Sequence, residues 1–232
     1  MKKMKGIKKC VLFGVFVSLY SIANAQYNHE IGITGGGSFY LGDANLSLPF
    51  HKTNVAYGGF YVYNIDTRYA LKAHVIAATI EGDSRDFNYI FPNQQFGYFD
   101  RKLIDIGLNL QFNFFDLGQS KYYNSHNSIT PYFMIGMGYL AYNNIYIGDN
   151  VYKFTIPMGI GGKWKMNDRF TLGIEWKINK LFIDDLDVSN SESKILSNPY
   201  QTKNTSFFDT DWYSLASISL SYNLFNTRRF CR

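Results

Sequence analysis

Asp184, Asp185 and Asp187 place three carboxylates within four positions, and oxygen ligands at that density could bind Ca²⁺. The segment lacks the glycine and the closing Glu of an EF-hand loop, which runs to about 12 residues. The same carboxylates could equally cap a loop or meet Lys180. Histidine offers less. His29, His51, His74 and His126 are scattered, and none has a His or Cys neighbour at metal-ligand spacing. Gly35-Gly36-Gly37 and Gly159-Ile160-Gly161-Gly162-Lys163 have the glycine content of phosphate loops. Neither carries the Lys-Ser/Thr pair or the following helix that a P-loop needs. Both read as strand glycines that let bulky side chains approach, with Gly161 beside a packed interior. Serine is plentiful, but no pairing with a histidine base marks a nucleophile. The expectation is no catalytic residue and no cofactor.

Two cysteines remain to be placed. Cys10 lies in a segment expected to be removed, which leaves Cys231 one residue from the end of the chain. A disulfide framework is therefore excluded, although an exported protein would tolerate one. Cys231 is either buried, an inert thiol at the tail, or a site for an intermolecular disulfide with another chain.

The removed segment is residues 1–25. Lys2, Lys3, Lys5, Lys8 and Lys9 precede an apolar run from Val11 to Tyr20, and Ala23-Asn24-Ala25 supplies small residues for cleavage before Gln26. The run is shorter than the roughly 20 residues of a spanning helix. Losing five lysines reduces the 23 basic residues to 18, against 18 acidic ones. The mature protein is formally neutral, so the nucleic-acid partner that a basic chain would suggest is not expected.

The remaining residues, 26–225 as one domain and 226–232 as a tail, must supply the scaffold. Aromatic residues make up 18% of the chain, while mean hydropathy is slightly negative. Alternating lipid-facing strands give that combination. Period two dominates. Ile104, Ile106, Leu108, Leu110, Phe112 and Phe114 alternate with Asp105, Gly107, Asn109, Gln111 and Asn113. The same pattern runs over Phe154–Met166, Phe170–Asn179 and Trp212–Leu224. Weaker candidates are Glu30–Tyr40, Val55–Asn64, Tyr69–Glu81 and Thr130–Tyr142. Eight strands predict a small antiparallel transmembrane β-barrel, closed because an open edge in hydrocarbon leaves backbone groups unpaired.

Ile65–Arg68 and Asn167–Arg169 are expected as tight turns and Asp116–Ile129 as an intermediate one. Leu41–Asn54, Gly82–Phe99, Asn143–Val151 and Ile183–Asp211 are expected as longer loops. Short turns normally face the periplasm, which would put both termini there in a multi-pass barrel of the cell outer membrane. On the inward phase, Asp105, Lys163, Lys165, Glu175 and Lys177 are expected to form a lumenal charge network that plugs the barrel.

Several blocks in order resemble one family. They are His29-Glu30-Ile31-Gly32 running on to Gly37-Ser38-Phe39-Tyr40-Leu41-Gly42-Asp43, then Thr130-Pro131-Tyr132-Phe133 with Gly136-Met137-Gly138. Ile156–Lys163 follows, then Ile183–Ser189, Asp211-Trp212-Tyr213 and the ending Arg229-Phe230-Cys231-Arg232. In this order they resemble the PorG-family outer-membrane proteins of the type IX secretion system, with one departure: the acidic block lacks a further Asp before Val188. The resemblance implies a non-enzymatic barrel that attaches a periplasmic ring, built by proteins resembling PorK and PorN, to the outer membrane. Protein secretion and, in some species, gliding motility would depend on it.

The tail adds a physical element. Arg228, Arg229 and Arg232 could dock on an acidic ring surface, and Cys231 could lock the contact. The alternatives are a structural or adhesive barrel acting through its outer loops, and a barrel enzyme acting on lipid.

Overall fold

The computed structural model describes residues 28–41, 52–83, 98–115, 128–144, 149–167, 169–182 and 212–224. Eight strands follow one another: β1 (Asn28–Leu41), β2 (Asn54–Asn64), β3 (Tyr69–Asp83), β4 (Tyr98–Asn113), β5 (Ile129–Asn144), β6 (Asp149–Lys165), β7 (Phe170–Leu181) and β8 (Trp212–Asn223). Each pairs with its neighbour in sequence, and β1 pairs antiparallel with β8 to close the barrel. Closure gives every strand a partner on both sides, so no strand presents an open edge. Both ends of the described chain, Asn28 and Leu224, lie at the rim where β2 ends and β3 begins, β4 ends and β5 begins, and β6 ends and β7 begins. This is the short-turn end; residues 42–53, 84–97, 145–148 and 182–211 connect strands at the opposite, long-loop end.

Alternation puts one apolar set outside. Ile104, Ile106, Leu108 and Leu110 of β4 are exposed, as are Ile31 and Ile33 of β1 and Ile174 and Trp176 of β7. From Phe112 to Ile104 the outward run spans eight steps along β4. At ~3.3 Å per residue and a tilt of ~40° that is a band roughly 20 Å tall, near the ~25 Å expected of a lipid-facing belt. Aromatic pairs flank the band. Tyr69–Phe112 and Phe170–Tyr222 sit towards the short-turn end, and Tyr139–Phe154 towards the long-loop end.

Two expectations about strand ends are corrected. β4 begins at Tyr98, six residues before Ile104, paired along Asp83↔Tyr98, Gly82↔Phe99 and Ile80↔Arg101. Beyond the belt the pattern inverts: Asp100 and Lys102 face out, while Phe99 and Leu103 are buried inside. An apolar-outward search therefore stops at Ile104, although the strand continues. The expected loop Asn143–Val151 shrinks to residues 145–148, because Asn143↔Asn150 and Asn144↔Asp149 extend the ladder. Pro157 has no N–H to donate, and this ladder skips between Ile135↔Met158 and Gly138↔Thr155.

The interior has two storeys. Towards the long-loop end, Tyr40, Ile80, Phe99, Leu103, Leu140, Leu181 and Tyr213 form one apolar cluster. Tyr40 and Phe99 meet edge to face at 4.7 Å between centroids. The ion-paired part of the inward face lies in the storey nearer the short-turn end, while beyond it Ser38, Arg101 and Thr155 are buried among the apolar side chains.

Candidate functional site

The lower storey is built by the inward positions of all eight strands. β3 and β7 lie diametrically opposite in a ring of eight, so contacts between them cross the lumen. Lys72 on β3 donates to Glu175 Oε2 on β7 at 2.6 Å, and both side chains are almost wholly buried. Tyr132 on β5 donates its hydroxyl to the same Glu175 oxygen at 2.6 Å. Gly161 faces Tyr132 across the β5–β6 ladder, and a Cβ there would collide with that ring. The glycine therefore makes room for the phenol that holds Glu175. Lys163 donates to Gln111 Oε1 at 2.7 Å and lies 4.9 Å over the Tyr132 ring. Beside it, Glu30 accepts from Asn64 Nδ2 at 2.9 Å and from Ser221 Oγ at 2.7 Å.

One layer towards the long-loop end, Lys177 Nζ lies 2.7 Å from Asp105 Oδ2 and 2.8 Å from His74 Nε2. His74 Nε2 is also 3.3 Å from Asp105 Oδ2. These three side chains are only 1–3% exposed. An isolated charge in such a place would be prohibitive, whereas one paired and hydrogen-bonded on several sides is tolerated. Lys72, Lys163 and Lys177 balance Glu30, Asp105 and Glu175, three against three, so this storey is neutral with His74 uncharged.

Of the residues singled out in sequence, Asp105 and Lys177 meet directly, Glu175 pairs with Lys72, and Lys163 bonds to Gln111. Lys165 lies outside the network. It sits half-buried at the short-turn rim opposite Thr171, where water can reach it. Asp184, Asp185, Asp187, Arg228, Arg229, Cys231 and Arg232 fall outside the described residues. Sequence reasoning missed Lys72, His74, Glu30, Tyr132 and Gln111. Lys72 and His74 had a signal, since they share the phase of Ala70 and Ile76 within β3. At the long-loop rim Lys52 Nζ lies between Glu81 (3.4 Å) and Asp83 (3.5 Å), and Arg101 stacks 4.4 Å from the Tyr142 ring centroid.

The arrangement braces opposite strands and fills the space between them. It defines a small closed β-barrel with a packed, ion-paired interior and an apolar outer belt. Residues 8–232 match the family described as a domain of unknown function, DUF6089, and the chain belongs to that family. No curated protein matches it significantly. Among solved structures the chain is similar to Neisserial surface protein A, at 10% identity and a TM-score of 0.45, over 84% of this chain and 96% of that one. It is also similar to the N-terminal β-barrel domain of Pseudomonas aeruginosa OprF, at 14% identity and a TM-score of 0.42, over 85% and 99% of the two chains. Ail, the attachment invasion locus protein of Yersinia pestis, gives 13% identity and a TM-score of 0.40 over 85% and 98%. The barrel itself is defined by this chain's own strand pairing.

Proposed function

We propose that the protein is a non-enzymatic component of the cell outer membrane that anchors a periplasmic ring of a protein-secretion machine. The observation that carries the reading is the filled lumen. Struts such as Lys72–Glu175 and Asp105–Lys177 cross it, and a cluster of aliphatic and aromatic side chains fills the storey above. A barrel spent in this way supports attachment better than conduction. The outer belt of Ile, Leu, Phe and Trp side chains suits a lipid partner.

The assignment to type IX secretion rests on the sequence resemblance to PorG-family proteins. In this reading both termini face the periplasm. The basic tail, with Arg228, Arg229 and Arg232, docks on ring proteins resembling PorK and PorN, and Cys231 can form an intermolecular disulfide.

The test is co-purification from membranes solubilised in mild detergent. The full chain should bring down periplasmic ring lipoproteins, and deletion of residues 226–232 should lose them while the barrel still inserts. Recovery of the barrel alone from wild-type membranes would rule the anchor out. Cys231→Ser should abolish any high-mass species on non-reducing gels. A wild-type chain that runs as a monomer after rapid thiol trapping excludes the disulfide.

A further inference from the structure

Asp105 is satisfied on one oxygen only. Its Oδ2 meets Lys177 Nζ at 2.7 Å, while Oδ1 is buried with no hydrogen-bond partner among the described residues. Towards the long-loop end the same holds for Thr155 Oγ1, both amide atoms of Asn179 and the Tyr213 hydroxyl. These four side chains are only 0–1% exposed. Buried polar groups are nearly always bonded to protein or to water, so unpaired atoms gathered in one place point to a partner.

The ladders gather them. Asn179 pairs with Tyr213 across β7–β8. It lies diagonal to Thr155 across β6–β7, where Thr155 pairs with Leu181 and Pro157 with Asn179. The Tyr213 hydroxyl faces Asp105 and Thr155 without meeting hydrogen-bond geometry with either. Gly138 pairs with Thr155 across β5–β6, and a Cβ there would stand 3.0 Å from Thr155 Oγ1. The glycine leaves room beside that hydroxyl. Leu140 and Leu181, the ladder neighbours of Asp105 and Thr155, belong to the apolar cluster. The place is thus the boundary between the two storeys.

We propose that Asp105, Thr155, Asn179 and Tyr213 form an internal site for ordered water, enclosed between the ion-paired layer and the apolar cluster. The donor and acceptor balance selects water over an ion. Asp105 Oδ1 and Asn179 Oδ1 only accept, Asn179 Nδ2 only donates, and the two hydroxyls do either. Water donates and accepts, so it suits every one of these groups, and a buried water typically makes about three such bonds. A sodium ion would leave Asn179 Nδ2 unsatisfied and would lie close to the Lys177 ammonium on the same carboxylate. An anion would face Asp105 itself. Bridged by water, Asp105 ties β4 to β6 and β8 as well as to β7, which Lys177 already reaches.

The experiment is a high-resolution crystal structure of the full barrel in detergent, paired with oxygen-17 relaxation of water on wild type and variants. The crystal should show water bonded to Asp105 Oδ1 and to at least two of the other groups. Thr155→Val with Tyr213→Phe deletes two oxygens and keeps both shapes. That variant should lose the water and the part of the relaxation due to long-lived water. Should it fail to fold, Tyr213→Phe alone carries the same comparison. Met137→Leu, exposed on β5, should match wild type.

Four side chains bonded directly to one another, with no water between them, overturn the proposal. So does a sodium ion at the site, recognised by oxygen-only contacts and by sodium-23 relaxation that the variant loses. Oxygen-17 relaxation equal in wild type and variant overturns it as well.

Discussion

Lys177 Nζ on β7 lies 2.7 Å from Asp105 Oδ2 on β4, joining residues 72 positions apart across the interior of the barrel. Both are about 1% exposed. Removing one partner of such a pair leaves a buried charge uncompensated, at a cost of about 3–5 kcal/mol. Lys177→Met and Asp105→Asn should each destabilise the barrel by that amount in urea unfolding from vesicles. The double variant should recover most of the loss, since neither charge is then stranded. Additive losses would show that the two residues act independently.

The second strut can be cut at either of two contacts, because both Lys72 and Tyr132 donate to Glu175. Tyr132→Phe removes one hydrogen bond to a charged acceptor, for a loss of about 1.5–3 kcal/mol. Lys72 still holds the carboxylate at 2.6 Å. Lys72→Met should cost more, since it strands the anion. Equal losses in the same unfolding measurement would contradict this ranking.

The apolar storey should close the lumen as well as stabilise it. Phe99 is fully buried against Tyr40. Phe99→Ala should cost about 3–5 kcal/mol, in line with other large-to-small aromatic truncations in cores. In planar bilayers the wild-type protein should pass no steady single-channel current. Regular conductance steps from wild type would count against the filled barrel.

Much of this scaffold is legible in the sequence, for a physical reason. Over Ile104–Asn113 the apolar residues lie on the exposed outer face and the polar ones are buried on the inner face, so period two is written directly into residue type. The pattern fails where those environments change. At Phe99 and Leu103 the interior becomes apolar while Asp100 and Lys102 face out, which hides the first six residues of β4. The network is less legible than the strands. Asp105, Glu175 and Lys177 stand out on alternating strands, but their partners depend on how far each strand is staggered around the ring. Lys72 and His74 sit on a strand whose outward positions include Ala73 and Ala77, so the contrast that marks a polar inward phase is weak there. Lys165 has the right phase but lies too near the rim to need a partner.

Under the proposed function, the ring meets the barrel at its short-turn end. Photo-crosslinking amino acids placed at Thr67 and Asn167, in the turns of that end, and at Lys52 near the opposite rim test this most directly. In intact cells, adducts with periplasmic ring lipoproteins should form from Thr67 and Asn167 and not from Lys52. Adducts from Lys52 alone, or none from either turn position, would show that the barrel does not anchor the ring through this end.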